Sequence, residues 1–131
     1  MPITTLYTFP LVLIFLMLTY RTIRYRRDNR ISLGDTGDKA LLKRMRVHAN
    51  CAEYTPIGLI VLGLAESINA SVFALHAIGL SLVIGRALHA YGMSQTPQIM
   101  NMRVSGMVLT ILSILLGSLF AFVMVAQRLL V

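Results

Sequence analysis

Tryptophan is absent from this 131-residue chain, cysteine occurs once, and only five residues are acidic. A lone Cys51 leaves no disulfide framework within one chain, and its place just inside an apolar segment reads as small-residue packing, not as a nucleophile. Charged residues make up 13% of the chain, about half the share usual in soluble domains, while 56% is apolar. With a mean hydropathy of +0.74, that balance excludes an ordinary water-soluble enzyme and indicates a membrane protein. No segment is left over for a separate soluble domain, so any site has to be built by the membrane helices. There are three histidines, and His48 and His89 lack a third ligand at helical spacing, so no metal site is expected. Glycine-rich phosphate loops, haem attachment motifs and Ser-His-Asp arrangements are missing as well.

What the chain does have is a basic balance of +7, distributed very unevenly. Nine of its twelve Lys and Arg residues lie between Arg21 and Arg46, in the connection between the first and second apolar segments. Clustered cations of this kind place a connection on the cytoplasmic side and attract anionic lipid. Nucleic acid is not an expected partner, because no basic residues are interleaved with aromatics on a folded surface. The N-terminal apolar run carries its positive charges behind it and has no small-residue cleavage site, so it reads as a retained span. Spans are predicted over about residues 3–20, 47–65, 71–91 and 104–126, each near the roughly 20 residues that a bilayer requires. The expected fold is an all-α integral membrane protein, a four-transmembrane-helix bundle forming one domain over residues 1–131, with both termini outside the cytoplasm. Asp38 is placed to cap the second helix, and Gly79, Gly85, Ser105, Gly106, Ser113 and Gly117 permit close helix approach.

Ionisable groups at bilayer depth are costly, so they are site candidates by default. The second span carries Arg46, Asn50 and Glu53 at i, i+4 and i+7, on one helix face, with His48 and Tyr54 interspersed. A cation, an amide and a carboxylate on one stripe suit a zwitterionic guest. Arg86 and His89 lie in the cytoplasmic third of the third span, Arg103 opens the fourth, and Arg24, Arg26 and Arg27 close the first. Four helix ends thus deliver cations and one carboxylate to one level of the bilayer. Each residue also has a plainer reading: Glu53 paired with an arginine, Arg46 and Arg86 snorkelling to the interface, and Tyr54 packing. His76, towards the other end, is assigned no role. A small transporter with Glu53 as its proton site is disfavoured by four short spans without a broken helix on the periplasmic side.

At Arg46-Val-His-Ala-Asn50-Cys-Ala-Glu53-Tyr54-Thr-Pro56 the chain resembles the MAPEG family (membrane-associated proteins in eicosanoid and glutathione metabolism), and in particular its small bacterial branch. Gly85-Arg86-Ala-Leu-His89-Ala-Tyr-Gly92 and Arg103-Val-Ser-Gly106-Met agree with it, so the likeness covers essentially the whole chain. The resemblance implies a homotrimer in a bacterial inner membrane, with glutathione as co-substrate bound between subunits near the cytoplasmic face. It implies glutathione contacts at Arg46, Asn50, Glu53 and Tyr54, joined by Arg26 and Arg27; His48, Arg86 and His89 complete the expected binding set. The implied chemistry is attack of the glutathione thiolate on a lipophilic molecule delivered from the bilayer, as a transferase or peroxidase. Arg103 is the candidate for stabilising the thiolate. An ungapped reading puts the activating arginine of conjugating members on Met100, one turn before Arg103, and their third-helix tyrosines on His89 and Met93. The alternative is a non-catalytic membrane protein that binds an anionic lipid or other small molecule in the same basic pocket.

Overall fold

The computed structural model describes residues 1–130, and the fold is entirely helical. Helix α1 spans Pro2–Asp28, α2 Lys39–Ser67, α3 Val72–Ser94 and α4 Met100–Leu129. The 27 to 30 residues of α1, α2 and α4 amount to about 40–45 Å, longer than a hydrocarbon core of roughly 30 Å. The excess is polar: α1 continues through Arg21–Asp28, and α2 starts eight residues before its first valine-to-alanine stretch, at Lys39.

Composition separates the helices. Among the described residues, three of the four helices, α1, α3 and α4, are each long and apolar enough to cross a membrane. α2 falls outside that class because His48, Asn50, Glu53 and Tyr54 interrupt its middle. Its surroundings compensate: α2 packs against all three other helices, whereas α1 and α4 do not meet. α2 and α3 therefore form the centre of the bundle, with α1 on one side and α4 on the other.

The junction between α1 and α2 is built on Asp38. Its Oδ1 accepts the backbone N–H groups of Ala40 and Leu41, capping α2 as expected, while Oδ2 accepts the Tyr25 hydroxyl at 2.8 Å. The Leu41 N–H and the Tyr25 hydroxyl hold the Asp38 carboxyl below its ordinary range. Arg44 in turn stacks on the Tyr25 ring, 4.3 Å from its centroid.

Glycine sets the spacing of α3 and α4. A Cβ at Gly85 would lie 2.9 Å from the Gly106 carbonyl oxygen, and one at Gly92 would lie 2.7 Å from the Arg103 nitrogen, so backbone meets backbone here. Ser113 joins the same seam by donating to the Ile78 carbonyl at 2.9 Å. Ser105 does not join it; it is exposed and bonds the Met102 carbonyl of its own helix. Cys51 is buried in a small core with Leu18, Val47 and Ala90.

At the opposite end, Glu66 does what no local residue does for α1. The start of α1 has no side-chain cap of its own, and the Glu66 carboxylate accepts the Ile3 N–H at 3.0 Å, the Thr4 N–H at 2.8 Å and the Thr4 hydroxyl at 2.6 Å. His76, given no role from sequence, bonds the Tyr7 hydroxyl at 2.7 Å and joins α1 to α3. Burial raises the affinity of Glu66 for a proton, but the three bonds from Thr4 and Ile3 outweigh it and hold the carboxyl below its ordinary range. A carboxyl depressed on folding stabilises above its unfolded pKa, and that stability is lost as pH falls through the folded value. Glu66→Gln is expected to cost about 1 kcal/mol at neutral pH and to flatten the loss of thermal stability below about pH 4. Melting curves of the two proteins across that range check it; parallel pH profiles would contradict the cap.

Candidate functional site

The polar stripe of α2 is organised by a residue on α3. Arg86 is 2% exposed, and no carboxylate lies within ion-pair distance of it among the described residues. Its Nε donates to Thr110 Oγ1 at 3.0 Å, its Nη1 donates to Asn50 Oδ1 at 2.8 Å and to the Asn50 carbonyl at 3.3 Å, and its Nη2 approaches the Met107 sulfur at 3.7 Å. The guanidinium also lies 5.4 Å from the centroid of the Tyr54 ring. One cation thus joins α2, α3 and α4 through neutral acceptors. Snorkelling, the plainer reading of Arg86, does not describe it. The same bonds orient the Asn50 amide: with Oδ1 occupied by Arg86, its NH2 is the group left for a ligand.

Beside this clasp, α2, α3 and α4 enclose an open groove of about 620 Å³. Arg46, Asn50, His89 and Arg103 supply its polar lining, and Met93, Met100, Val104, Met107, Val108 and Ile111 the rest. The volume is within the usual range for small-molecule sites, and the mixture of few polar groups on an apolar wall is typical of them. Four residues singled out from sequence on three different helices are therefore neighbours in space. Met100 and Arg103, the two positions between which the family comparison left the activating arginine, face this groove together, one helical turn apart.

Two groups in the groove have defined hydrogen-bonding states. His89 Nδ1 lies 2.9 Å from the Arg103 carbonyl, which only accepts, so Nδ1 carries the proton. His89 Nε2 is then an acceptor, buried and without a partner. The Arg103 guanidinium bonds the Gln98 side chain at 2.8 Å through Nη1, which ties it to the α3–α4 turn. Lys43 secures that turn from the other side by bonding the Gln95 carbonyl and the Thr96 hydroxyl.

The remaining sequence candidates lie elsewhere in the single chain. His48 faces α1, where its Nε2 lies 2.9 Å from the Thr19 hydroxyl and its ring lies against Phe15. Arg26 approaches the Met45 sulfur at 3.1 Å and keeps Nη1 buried without a partner, and Arg27 is exposed. Tyr54 packs against Arg86 from outside the groove lining. Glu53 is exposed on α2 and has no ion-pair partner among the described residues, so the pairing with an arginine expected as its plainer role is not present. Sequence reading missed Thr110, Met107 and Gln98. Thr110 sits 24 positions from Arg86 and carries no motif, so only the α3–α4 packing reveals it.

The sequence model of the MAPEG family matches residues 4–123. Two curated relatives, each called Inner membrane protein YecN, come from Escherichia coli strain K12 and Escherichia coli O6:H1. Both are 30% identical over 114 residues, which is 87% of this chain and 86% of theirs.

A clasp of this kind has a measurable signature. Arg86→Leu leaves the Asn50 and Thr110 oxygens unmatched and is expected to destabilise by about 2–3 kcal/mol. Arg86→Lys is expected to rescue little, since one ammonium does not reproduce a fork that reaches two helices. Thermal melts in detergent check both; wild-type stability of the lysine variant would refute the fork.

Proposed function

Since the chain belongs to the MAPEG family, we propose that it binds glutathione in the groove between α2, α3 and α4 and conjugates it through its sulfur to lipophilic electrophiles. The observation that carries this reading is the convergence of Arg46, Asn50, His89 and Arg103 on one apolar-walled groove. Glutathione offers two carboxylates, an ammonium and a thiol. Arginines suit the carboxylates as forked, charge-assisted partners. The Asn50 NH2 adds a neutral donor. Arg103 is the guanidinium assigned to hold the sulfur as thiolate, which is the nucleophilic form. A thiolate then attacks the electrophilic carbon, a sulfur–carbon bond forms, and the leaving group departs with its electron pair.

Glu53 supports a site completed by a neighbouring copy. An exposed, unpaired carboxylate on a helix at bilayer depth is costly unless a ligand or a second subunit meets it. Arg26 and Arg27, which do not reach the groove of their own chain, are the basic residues left to contribute to it from a neighbour. The assembly we infer is the homotrimer of the family, with the lipid bilayer as the source of the second substrate. All four helices span the membrane in this reading, α2 shielded by its partners, in a bacterial inner membrane as the names of the relatives state. The connection of residues 29–38 and its basic flanks then face the cytoplasm, and both termini face the periplasm.

The second reading, binding without turnover, draws on the Gln98 bond that holds Arg103 to the turn. Glutathione titration in detergent, followed by thermal melting, tests binding under either reading, and Glu53→Ala is expected to weaken it about 10-fold or more. Conjugation of glutathione to chlorodinitrobenzene separates the readings: Arg103→Ala is expected to lower turnover at least about 100-fold with binding largely kept. Stabilisation by glutathione without any conjugation would leave the binding reading, and neither effect in folded protein would end both. A C-terminal reporter fusion checks orientation, with periplasmic activity expected.

A further inference from the structure

A second polar cleft lies between α1 and α2 and shares no residue with the glutathione groove. It measures about 200 Å³ and is lined by Tyr20, Arg21, Arg24, Tyr25, Asp28 and Arg44. Three arginines and one carboxylate thus border the cleft, and that carboxylate is already paired with Arg24 at 3.6 Å. Two of the guanidiniums are fixed in place. Arg21 Nη1 donates to Ser94 at 3.0 Å, and Arg44 is held on the Tyr25 ring, itself anchored by Asp38. Excess, pre-positioned guanidinium groups of this kind match the oxygens of a phosphate.

The surface leading to this cleft identifies what kind of phosphate reaches it. Phe9, Leu13, Leu16, Tyr20 and Arg24 are spaced 4, 3, 4 and 4 apart, which puts them on one face of α1. All five are exposed, four of them at half or more of their surface and Arg24 likewise. From Phe9 to Tyr20 the stripe is about 16 Å long, and one leaflet of hydrocarbon is about 15 Å thick. An acyl chain lying along the stripe would therefore bring its headgroup to Tyr20 and Arg24, at the mouth of the cleft. Tyrosine at that level is the usual interfacial residue.

We propose that Arg21, Arg24 and Arg44 form a binding site for the phosphodiester of an anionic phospholipid, with its acyl chain along the Phe9–Tyr20 stripe of α1. The site is distinct from the thiol chemistry and does not depend on it. It makes the α1–α2 junction, where the Tyr25–Asp38 bond and the Arg44–Tyr25 stack already join the helices, sensitive to the lipid around it.

The test uses the full chain in neutral detergent, with short-chain phosphatidylglycerol, phosphatidylcholine and inorganic phosphate titrated separately and followed by thermal melting. Phosphatidylglycerol is expected to raise the midpoint, and phosphatidylcholine to do so far less. Arg24→Gln, which removes a side chain whose only recorded polar contact is with Asp28, is expected to weaken the phosphatidylglycerol effect about 5-fold, and Arg24→Gln with Arg44→Gln on the order of 20-fold. Arg30→Gln with Lys39→Gln removes two exposed charges of the same connection outside the cleft and is expected to leave the effect intact. Inorganic phosphate matching phosphatidylglycerol in the wild type, and losing its effect in the Arg24 variant, would support the phosphate site while assigning it to a soluble ligand. Equal effects of the two lipids, an unchanged response in Arg24→Gln, or equal losses in the two double variants would overturn the proposal.

Discussion

The polar contacts that join α2, α3 and α4 are arranged around one buried cation. Arg86 sits where three helices meet, and taking a guanidinium out of water is tolerable only when its N–H groups find acceptors. Asn50 and Thr110 provide them, Met107 fills the remaining approach, and the face of Tyr54 adds its negative quadrupole. Because those acceptors are neutral, the positive charge is not cancelled locally. It adds to the field of Arg46 and Arg103 in the adjoining groove, which favours an anionic guest. The clasp therefore has two effects from one set of bonds: it fixes α2 against α3 and α4, and it biases what the groove accepts.

This arrangement explains why α2 is polar at its centre. A helix facing lipid on most sides does not hold an arginine, a histidine, an asparagine and a glutamate within eight residues. α2 does so because α1, α3 and α4 all pack against it, and its polar groups are distributed among them. His48 goes to α1 through Thr19, Asn50 goes to α3 through Arg86, and Arg46 goes to the groove. The glycine contacts of α3 and α4 make this geometry possible, since they bring Thr110 within reach of Arg86 and the Arg103 carbonyl within reach of His89.

Much of this was legible in the sequence, for identifiable reasons. Helical periodicity put Arg46 and Asn50 on the face that lines the groove, and the glycines marked the close seam between α3 and α4. Asp38 was readable as a cap because capping is local. Interactions across helices were not readable. No spacing rule connects Arg86 with Thr110, Tyr7 with His76, or Glu66 with the start of α1, because each depends on how the helices rotate against one another. His48 illustrates the limit: it lies two residues from both Arg46 and Asn50, and that offset turns it towards α1 instead of the groove. Hydropathy sets α2 apart from the other three helices, and what it does not register is that the polar groups of α2 find partners on the neighbours packed against it.

The Glu66 contact carries a consequence for how the protein is made. Threonine 4 and glutamate 66 are separated by 62 positions, so the opening turn of α1 leaves the ribosome long before the group that satisfies its N–H donors exists. Until α2 has been synthesised to its end, the beginning of the chain has to keep those donors in water or in the headgroup region. The capped form of the first turn of α1 therefore requires the end of α2, and the two helices complete each other.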